Sequence, residues 1–400
     1  MKPAFAALPT RQELESRIDR LRTALDARDD AWDAALVVDK VNQYYLTGTM
    51  QDGLFLLKRD GAFAYFARKS FQRARQESPL PAIYPMTSYR EVAQHLGPSP
   101  MKVYLEKEVV TCAMFERLQK HLPLRETAAL DGVIGAVRAV KSAYELTCME
   151  ASGRAHAYLL ETVAPSLMRE GMSEAELAVR LYEAMVALGH HGVTRFARFQ
   201  TDVALGQVAF GENTIYPSNF YGPGGMKGLC PAAPLLGDST RRLQKGDIVY
   251  LDVGFGVQGY HTDRSQAYCF GAAPSSETLR LHRACLALQK QIAARLKPGA
   301  VPHEIYACVT ADLGADFREN FMGVGGDCLK FLGHGVGLYV DEIPALAPGF
   351  HEPLAENMTF AVEPKKSVPG VGLLGGEDTY LVTPDGGRCL TGGEKDILMV

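Results

Sequence analysis

Two hairpin patterns in the second half of the chain each carry an acidic residue in both of the strand-like runs that flank the turn. In DIVYLDVGFGVQGYHTDRSQAYCF, Asp252 and Asp263 flank a turn predicted at Gln258-Gly259. In MTFAVEPKKSVPGVGLLGGEDTYLV, Glu363 ends one run and Glu377 begins the next. A carboxylate that faces an apolar core without a partner is costly, so a positive group is expected beside Asp252. The alternative is that strand acids such as these point to solvent.

A histidine lies between the two hairpins, in the glycine-rich segment GHGVGLYVDEIP. Four carboxylates and one imidazole, that of His334, suit a pair of divalent ions such as manganese, cobalt, iron or zinc, bridged by carboxylates. Gly333, Gly335 and Gly337 fit this interpretation, because missing side chains let substrate and backbone approach a metal closely. The alternative is a buried structural histidine. Convergence of all five side chains favours the metal site if the hairpins face each other.

Composition limits the classes of function. A chain of 400 residues with 47% hydrophobic side chains can bury a large core and is expected to form two domains. With 42 basic and 46 acidic residues, no broad positive field favours nucleic acid or an anionic lipid surface. No apolar run is long enough to span a bilayer and the start lacks a leader pattern, so a cytoplasmic protein is expected. The eight cysteines have no CxxC spacing, which predicts free thiols.

The N-terminal part has the pattern of a small α/β domain. Helical spacing is followed by the buried strand AALVV and by two strand patterns around Asp60-Gly61, which predict a hairpin. The helix is marked by four apolar residues on one face, Leu14, Ile18, Leu21 and Leu25. A long helical stretch begins at Lys141. We therefore predict an N-terminal domain over residues 1–135 and a second domain over residues 136–400.

Two segments of the second domain resemble each other. GMSEAELAVRLYEAM, residues 171–185, and GAVPHEIYACVTADL, residues 299–313, each place a glycine before a helix start, a glutamate and an apolar face. In the first segment Ser173 and Glu176 have the spacing of a capping box. Each segment precedes one of the acidic hairpins, so the domain is a candidate duplication of a helix-plus-hairpin unit. One pair of segments leaves this open, because helix starts look alike in many proteins.

The motifs DVGFGVQGYHTD, GHGVGL, VEP and GGED together resemble the pita-bread metallopeptidases, which include methionine aminopeptidase, aminopeptidase P, prolidase and creatinase. YYLTG, RAVKSAYEL and the motif spacing resemble the two-domain branch of aminopeptidase P and prolidase. The resemblance implies an α/β (α+β) fold. A small creatinase-like N-terminal α/β domain would be joined to a catalytic domain with a curved antiparallel sheet and pseudo-twofold halves. It also implies a homodimer.

The resemblance assigns roles to the five side chains. It implies the metal ligands Asp252, Asp263, His334, Glu363 and Glu377, with Asp263 and Glu377 bridging two divalent ions. The implied function is a dinuclear-metal-dependent hydrolase, an Xaa-Pro aminopeptidase or dipeptidase that acts on a small peptide. Two metals would lower the pKa of a bridging water and supply hydroxide. Glu363 would also accept the water proton and pass it to the leaving nitrogen.

Two departures from the family pattern keep other functions open. Peptidases of the family usually carry a histidine seven residues after the ligand histidine, where this chain has Val340-Asp341-Glu342, and another upstream, where residues 219–238 contain none. Asp341 is a poor oxyanion donor unless it is protonated. As the second catalytic candidate beside Glu363, it could bind a cationic substrate group, act as a base or pair with a basic residue. The alternative function is cleavage of a C–N or C–S bond in a small molecule.

A third hypothesis is a binding protein without catalysis, which retention of all five ligands disfavours. Three further histidines are interpreted as supporting or structural groups. His261 shares a strand face with Asp263, and His190-His191 follows a predicted helix.

Overall fold

The computed structural model describes residues 7–97, 101–198, 202–218, 222–393 and 395–400. Internal contacts divide the chain into two units, residues 7–138 and residues 139–400. We predicted a domain boundary between residues 135 and 136, which is close to the division after residue 138. The domain boundary stays a prediction. Within the described residues, no helix combines the length and the apolar character needed to cross a membrane.

The first unit contains a six-stranded sheet with helices around it. The bounds of its elements are α1 Arg11–Arg28, β1 Ala34–Val37, α2 Lys40–Thr47, β2 Gly53–Lys58, β3 Phe63–Ala67, α3 Phe71–Glu77, β4 Ile83–Pro85, α4 Tyr89–Leu96, β5 Met101–Leu105, α5 Cys112–Gln119, β6 Leu124–Ala129 and α6 Asp131–Ala139. The strand order is β4-β3-β2-β1-β5-β6, with β1 antiparallel to β2 and parallel to β5. The four apolar residues that predicted α1 are all buried, and the predicted hairpin is β2–β3.

The second unit begins with three helices and then alternates sheets and helices. Its helices are α7 Ala143–Tyr158, α8 Ala164–Leu167, α9 Glu174–Ala187, α10 Ser276–Ala293, α11 Pro302–Ala311 and α12 Ala315–Arg318. Its strands are β7 Thr194–Arg195, β8 Asp202–Val203, β9 Gly206–Phe210, β10 Ile248–Val257, β11 Tyr260–Cys269, β12 Gly333–Gly335, β13 Glu342–Ala345, β14 Thr359–Val362, β15 Lys365–Val368, β16 Gly372–Gly375, β17 Asp378–Thr383, β18 Gly386–Cys389 and β19 Leu398–Met399.

Two sheets organise this unit into halves. One has the order β19-β11-β10-β9, and its apolar face packs with α7 and α9. The other has the order β13-β12-β14-β17-β18, and it packs with α10 and α11. A bridge between Ser265 and Glu377 joins β11 to the start of β17. Each half therefore contains a helix from one of the two similar sequence segments and the acidic hairpin that follows it.

The two acidic hairpins differ in construction. The first turns at Gln258-Gly259 as predicted, with φ of 52° and 88°, the positive values that a tight two-residue hairpin turn requires. In the second, β14 pairs with β17, and the residues between them form a separate two-stranded hairpin, β15–β16. The sequence predicted a single hairpin here, because the short polar segment KKSV does not read as a strand of its own.

Helix starts follow the predicted capping pattern. The Ser173 side chain accepts a hydrogen bond from the Glu176 amide at 3.1 Å, and the Glu176 carboxylate accepts one from the Ser173 amide at 2.6 Å. This reciprocal pair is the predicted capping box, and it fixes the first turn of α9. Ser142 caps α7 in the same way.

Candidate metal centre

The first hairpin places two carboxylates on one face. Gly254 pairs with Asp263 across β10–β11, and Asp252 lies two residues from Gly254 on the same strand. Since side chains two residues apart share a face of a strand, Asp252 and Asp263 point to the same side. The Thr379 hydroxyl accepts a hydrogen bond from the Asp263 amide and donates one to the Asp263 carbonyl, each at 2.9 Å. This threonine holds β11 against β17.

His334 enters the same region from β12. Its Nδ1 donates to the Gly335 carbonyl at 3.0 Å, which leaves Nε2 directed at carboxylates. Nε2 lies 3.4 Å from Glu363 Oε1 and 3.9 Å from Glu377 Oε1. Burial lowers the pKa of His334, but the neighbouring Glu363 and Asp263 carboxylates outweigh it and raise the pKa to about 9. The imidazole is therefore oriented as a metal ligand would be, with its second nitrogen fixed by a backbone acceptor.

The glycines beside His334 permit close packing of strands. A Cβ on Gly333 would lie 2.2 Å from the Ala361 carbonyl oxygen, and one on Gly337 would lie 2.7 Å from a carboxylate oxygen of Glu342. These neighbours are strand backbone and a buried side chain. We had expected the glycines to open space for substrate. At these two positions, the nearest atoms instead show that a side chain would push the strands apart.

Lys365 lies at the centre of three of these carboxylates, although the sequence motifs did not indicate it as a site residue. Lys365 Nζ lies 2.7 Å from Asp252 Oδ2, 2.8 Å from Glu363 Oε2 and 2.7 Å from Glu377 Oε2. The lysine side chain is fully buried. It is the positive group that the apolar surroundings of Asp252 demanded. The available signal was the VEPKK segment, which puts two lysines into an otherwise apolar hairpin pattern.

Burial and charge shift the acids in different directions. Burial, together with the nearby Asp252 carboxylate, raises the pKa of Asp263 to about 7. Burial and the Asp263 charge raise the pKa of Glu377 well above its usual range. Burial would also raise the pKa of Glu363, but Lys365 and His334 together outweigh it and lower that pKa. Burial and mutual repulsion thus favour the protonated forms of Asp263 and Glu377 when no further cation is near.

The donors fit a divalent ion on one side of the centre. Asp263, His334 and Glu377 each offer a ligand atom, and these atoms lie within 4.8 Å of one another. Glu377 Oε1 is buried and has no hydrogen-bond partner within the described part of the chain. A buried carboxylate oxygen without a partner is costly, and a cation would satisfy it. The other set, Asp252, Glu363 and Glu377, is the one that surrounds Lys365.

A cavity of about 270 Å³ opens onto these side chains. The Asp341 carboxylate reaches it and accepts a hydrogen bond from the Ala197 amide at 2.6 Å. Burial raises the pKa of Asp341 despite that bond. The cavity is lined by Phe196, Arg198, Gly222, Asp252, Asp263, Phe331, His334, Asp341, Ala345, Glu363 and Glu377. All six predicted site residues therefore line one cavity, together with an arginine and two aromatic rings.

Three further histidines of this unit, His190, His191 and His261, are not among the residues that line the cavity. His261 Nδ1 donates to the Gly337 carbonyl at 3.1 Å. Its Nε2 lies 3.3 Å from His191 Nε2. His190 Nδ1 accepts a hydrogen bond from the Gly256 amide at 3.0 Å. These contacts support the structural interpretation of all three, which brace the turn end of β10–β11.

Comparison with known families gives two matches. Residues 147–384 match the model of metallopeptidase family M24, and residues 17–140 match the creatinase/prolidase N-terminal domain. The first match contains all five predicted metal ligands. The second corresponds to the six-stranded unit.

Individual relatives cover nearly the whole chain. The chain is 24% identical to the Xaa-Pro dipeptidase of Pyrococcus furiosus over 387 residues, which cover 96% of this chain and 100% of the relative. Its fold is similar to that of the prolidase from Pyrococcus horikoshii OT3, with a TM-score of 0.76, 22% identity and coverage of 96% and 100%. The X-Pro aminopeptidase from Thermotoga maritima gives the same TM-score and identity, with coverage of 96% and 99%. These likenesses confirm the predicted two-domain fold.

Proposed function

Because the chain belongs to metallopeptidase family M24, we propose that it is a metal-dependent peptidase that cleaves the amide bond preceding proline in short peptides. The observation that carries this proposal is the convergence of four carboxylates and one imidazole on a single cavity. The Xaa-Pro preference is supported by the relatives, which are named as Xaa-Pro dipeptidases and match over almost their full length.

The five predicted side chains are the proposed metal ligands, and Asp252 would serve only a second ion. Asp263, His334 and Glu377 supply donor atoms within 4.8 Å of one another, and Glu363 Oε1 lies 3.4 Å from His334 Nε2. A divalent ion there would polarise the substrate carbonyl and lower the pKa of water. The mixed carboxylate and imidazole set suits manganese, cobalt, iron or zinc. The resemblance predicts two ions, and whether both can bind depends on Lys365.

The protein groups supply proton transfer and binding. Glu363 is fully buried next to His334 and Lys365, and its carboxylate is kept ionised by the lysine. It is therefore suited to accept a proton from the attacking water and to hand it to the leaving nitrogen. Asp341 offers a second carboxylate in the cavity, away from the lysine. We assign to it the binding of the positive amino group of the substrate.

The cavity favours a short substrate. Its volume of about 270 Å³ lies just below the roughly 300–1,000 Å³ of pockets that enclose drug-sized ligands. Asp341 and Arg198 give its lining opposite charges, which suit the ammonium and carboxylate ends of a dipeptide. A dipeptidase is therefore the form of the function that the cavity supports best.

The test is hydrolysis of Ala-Pro by chain that has been stripped with a chelator and reconstituted with Mn²⁺ or Co²⁺. Ala-Pro-Ala distinguishes an aminopeptidase from a dipeptidase, and Ala-Ala is the control for the proline requirement. We expect metal-dependent cleavage of Ala-Pro. Bound metal without cleavage of either proline peptide would contradict the proposal. It would favour the second candidate, C–N or C–S cleavage in a small molecule, which Asp341 in the usual histidine position supports.

We also propose a cytoplasmic homodimer. The dimer is supported by the family resemblance, and the location by the cysteines, which are all free in this structure. Light scattering on the purified chain tests the first point. A mass near twice 43.6 kDa is expected, and a mass of 43.6 kDa would contradict it.

A further inference from the structure

Lys365 lies where a cation ligated by Asp252, Glu363 and Glu377 would lie. Its Nζ is 2.7–2.8 Å from one oxygen of each carboxylate. An ammonium group has three N–H donors, and three acceptors here use them all. A divalent ion held by the same oxygens would bind them at about 2.0–2.2 Å. Ion and ammonium would therefore require the same space.

The glutamates divide their oxygens between two positions. In both Glu363 and Glu377, Oε2 contacts Lys365. In both, Oε1 faces His334 Nε2 instead, at 3.4 Å and 3.9 Å. One position thus has an ammonium at its centre. The other is formed by His334 Nε2 and the two Oε1 atoms, of which Glu377 Oε1 has no hydrogen-bond partner in the part of the chain that the structure describes.

The lysine is held firmly in its position. Its side chain is 0% exposed, and its Nζ lies 5.9 Å from the centre of the buried Tyr250 ring. Moving the ammonium away would break three charge-assisted hydrogen bonds, each stronger than a neutral one, inside the protein. It would also leave the Asp252 carboxylate without the ammonium that lies 2.7 Å from its Oδ2. A second divalent ion would have to overcome both costs.

We propose that the Lys365 ammonium takes the place of one of the two cations, so that the centre binds one divalent ion per chain, held by Asp263, His334, Glu363 and Glu377. This inference rests on the proposed metal-dependent function. A lysine supplies one positive charge where a divalent ion would supply two. The centre therefore keeps one more negative charge than a two-ion centre with the same carboxylates.

The experiment counts ions in three proteins. Wild type, Lys365→Ala and Lys366→Ala are stripped with a chelator, loaded with Mn²⁺, freed of unbound metal by gel filtration and measured by plasma mass spectrometry. Lys366 is the matched control, because it is the adjacent buried lysine and its Nζ donates to the Asp316 and Phe317 carbonyls rather than to the acids. We expect one ion in wild type, two in Lys365→Ala and one in Lys366→Ala.

Anomalous diffraction from Mn²⁺-loaded crystals gives a second measurement that does not depend on activity. Wild type is expected to show one peak near His334 Nε2, and Lys365→Ala a second peak between Asp252 and Glu363. Two ions in wild type would overturn the inference and leave the proposed function intact. One ion in folded Lys365→Ala, with folding checked by circular dichroism, would also overturn the inference. No ion in wild type would overturn the metal-dependent function itself. If the variant does not fold, the wild-type count decides.

Discussion

Asp341 places a carboxylate in the cavity. At this sequence position, the peptidases that the chain resembles usually carry a histidine. An ionised carboxylate accepts hydrogen bonds and attracts cations, whereas stabilising an oxyanion requires a donor. The Ala197 amide fixes one of its oxygens at 2.6 Å, which orients the side chain. The group is therefore suited to bind the substrate ammonium rather than the developing negative charge.

Replacing Asp341 by Asn should weaken substrate binding without removing catalysis. Asparagine keeps an acceptor for the Ala197 amide and loses the charge. Because a hydrogen bond to a charged group contributes about 1.5–3 kcal/mol, KM for Ala-Pro should rise about 10- to 100-fold with kcat nearly unchanged. Steady-state kinetics measure both. N-acetyl-Ala-Pro, which lacks the ammonium, should be an equally poor substrate for both proteins. An unchanged KM for Ala-Pro would refute the binding role.

Glu363→Gln tests the proton-transfer role. The amide keeps the shape of the side chain but cannot accept a proton, so kcat should fall by about 10²- to 10⁴-fold. Metal content is measured alongside, because the side chain is also a proposed ligand. The control is Glu356→Gln, an exposed glutamate in the same unit, which should leave kcat unchanged. A variant that retains metal and loses less than tenfold would show that Glu363 is not the base.

At the scale of elements, α10 braces the strands that carry the centre. The Gln289 side chain donates to the Val362 carbonyl at 3.2 Å, directly before Glu363. His282 Nδ1 accepts a hydrogen bond from the Gly375 amide at 3.1 Å. The helix thus fixes the ends of both β14 and β16. The stability of α10 therefore helps to hold the acidic side chains of these strands in position.

The N-terminus of α10 offers a matched pair of serines. Ser275 is the N-cap, and its side chain accepts a hydrogen bond from the Thr278 amide at 3.0 Å. Ser276 follows it in the first turn and is exposed. Ser275→Ala should lower the free energy of unfolding by about 1 kcal/mol, and Ser276→Ala by less than about 0.5 kcal/mol. Urea unfolding measures the difference. Equal losses would show that the cap contributes nothing specific.

The same elements show what could be predicted from the sequence. The strand patterns and their acids were predictable, because β10 and β11 are ten-residue runs on either side of a clear turn signal, and β14 and β17 contain apolar runs. The separate hairpin β15–β16 was not, because KKSV is too short and polar to read as a strand of its own. Lys365 was missed for the same reason. Its role depends on which way one short strand faces, and no periodicity over four residues can fix that.

At the scale of the molecule, the centre depends on contacts between distant parts of the chain. Ser265 forms its bridge with Glu377, more than a hundred residues away in sequence, and Thr379 bonds to Asp263 across the same junction. Local patterns do not contain this information. The set of motifs implied these long-range contacts through the family resemblance. In the structure, the contacts result from hydrogen bonds between β11 and the residues at the start of β17.

Stability of the catalytic unit should also depend on pH through His190. Burial, with the nearby positive charges of His261 and Arg195, lowers the pKa of His190 to about 3. An unfolded histidine has a pKa of about 6.5, so unfolding takes up a proton between about pH 6.5 and pH 3. The stabilisation is fully present above pH 6.5 and is lost as the pH falls towards 3. His190 therefore lowers the free energy of unfolding by up to about 1.4 kcal/mol for each pH unit in this window.

His190→Gln should remove that dependence, because the amide oxygen can still accept from the Gly256 amide but does not titrate. Urea unfolding of both proteins at pH 7, 6, 5 and 4 measures it. Buried groups that do not interact with His190, such as Asp263 with its pKa of about 7, are common to both proteins and cancel in the difference. The stability advantage of wild type should shrink by about 2–3 kcal/mol from pH 6 to pH 4. Parallel curves would show that His190 has the same pKa in the folded and the unfolded chain, contrary to the burial that lowers it.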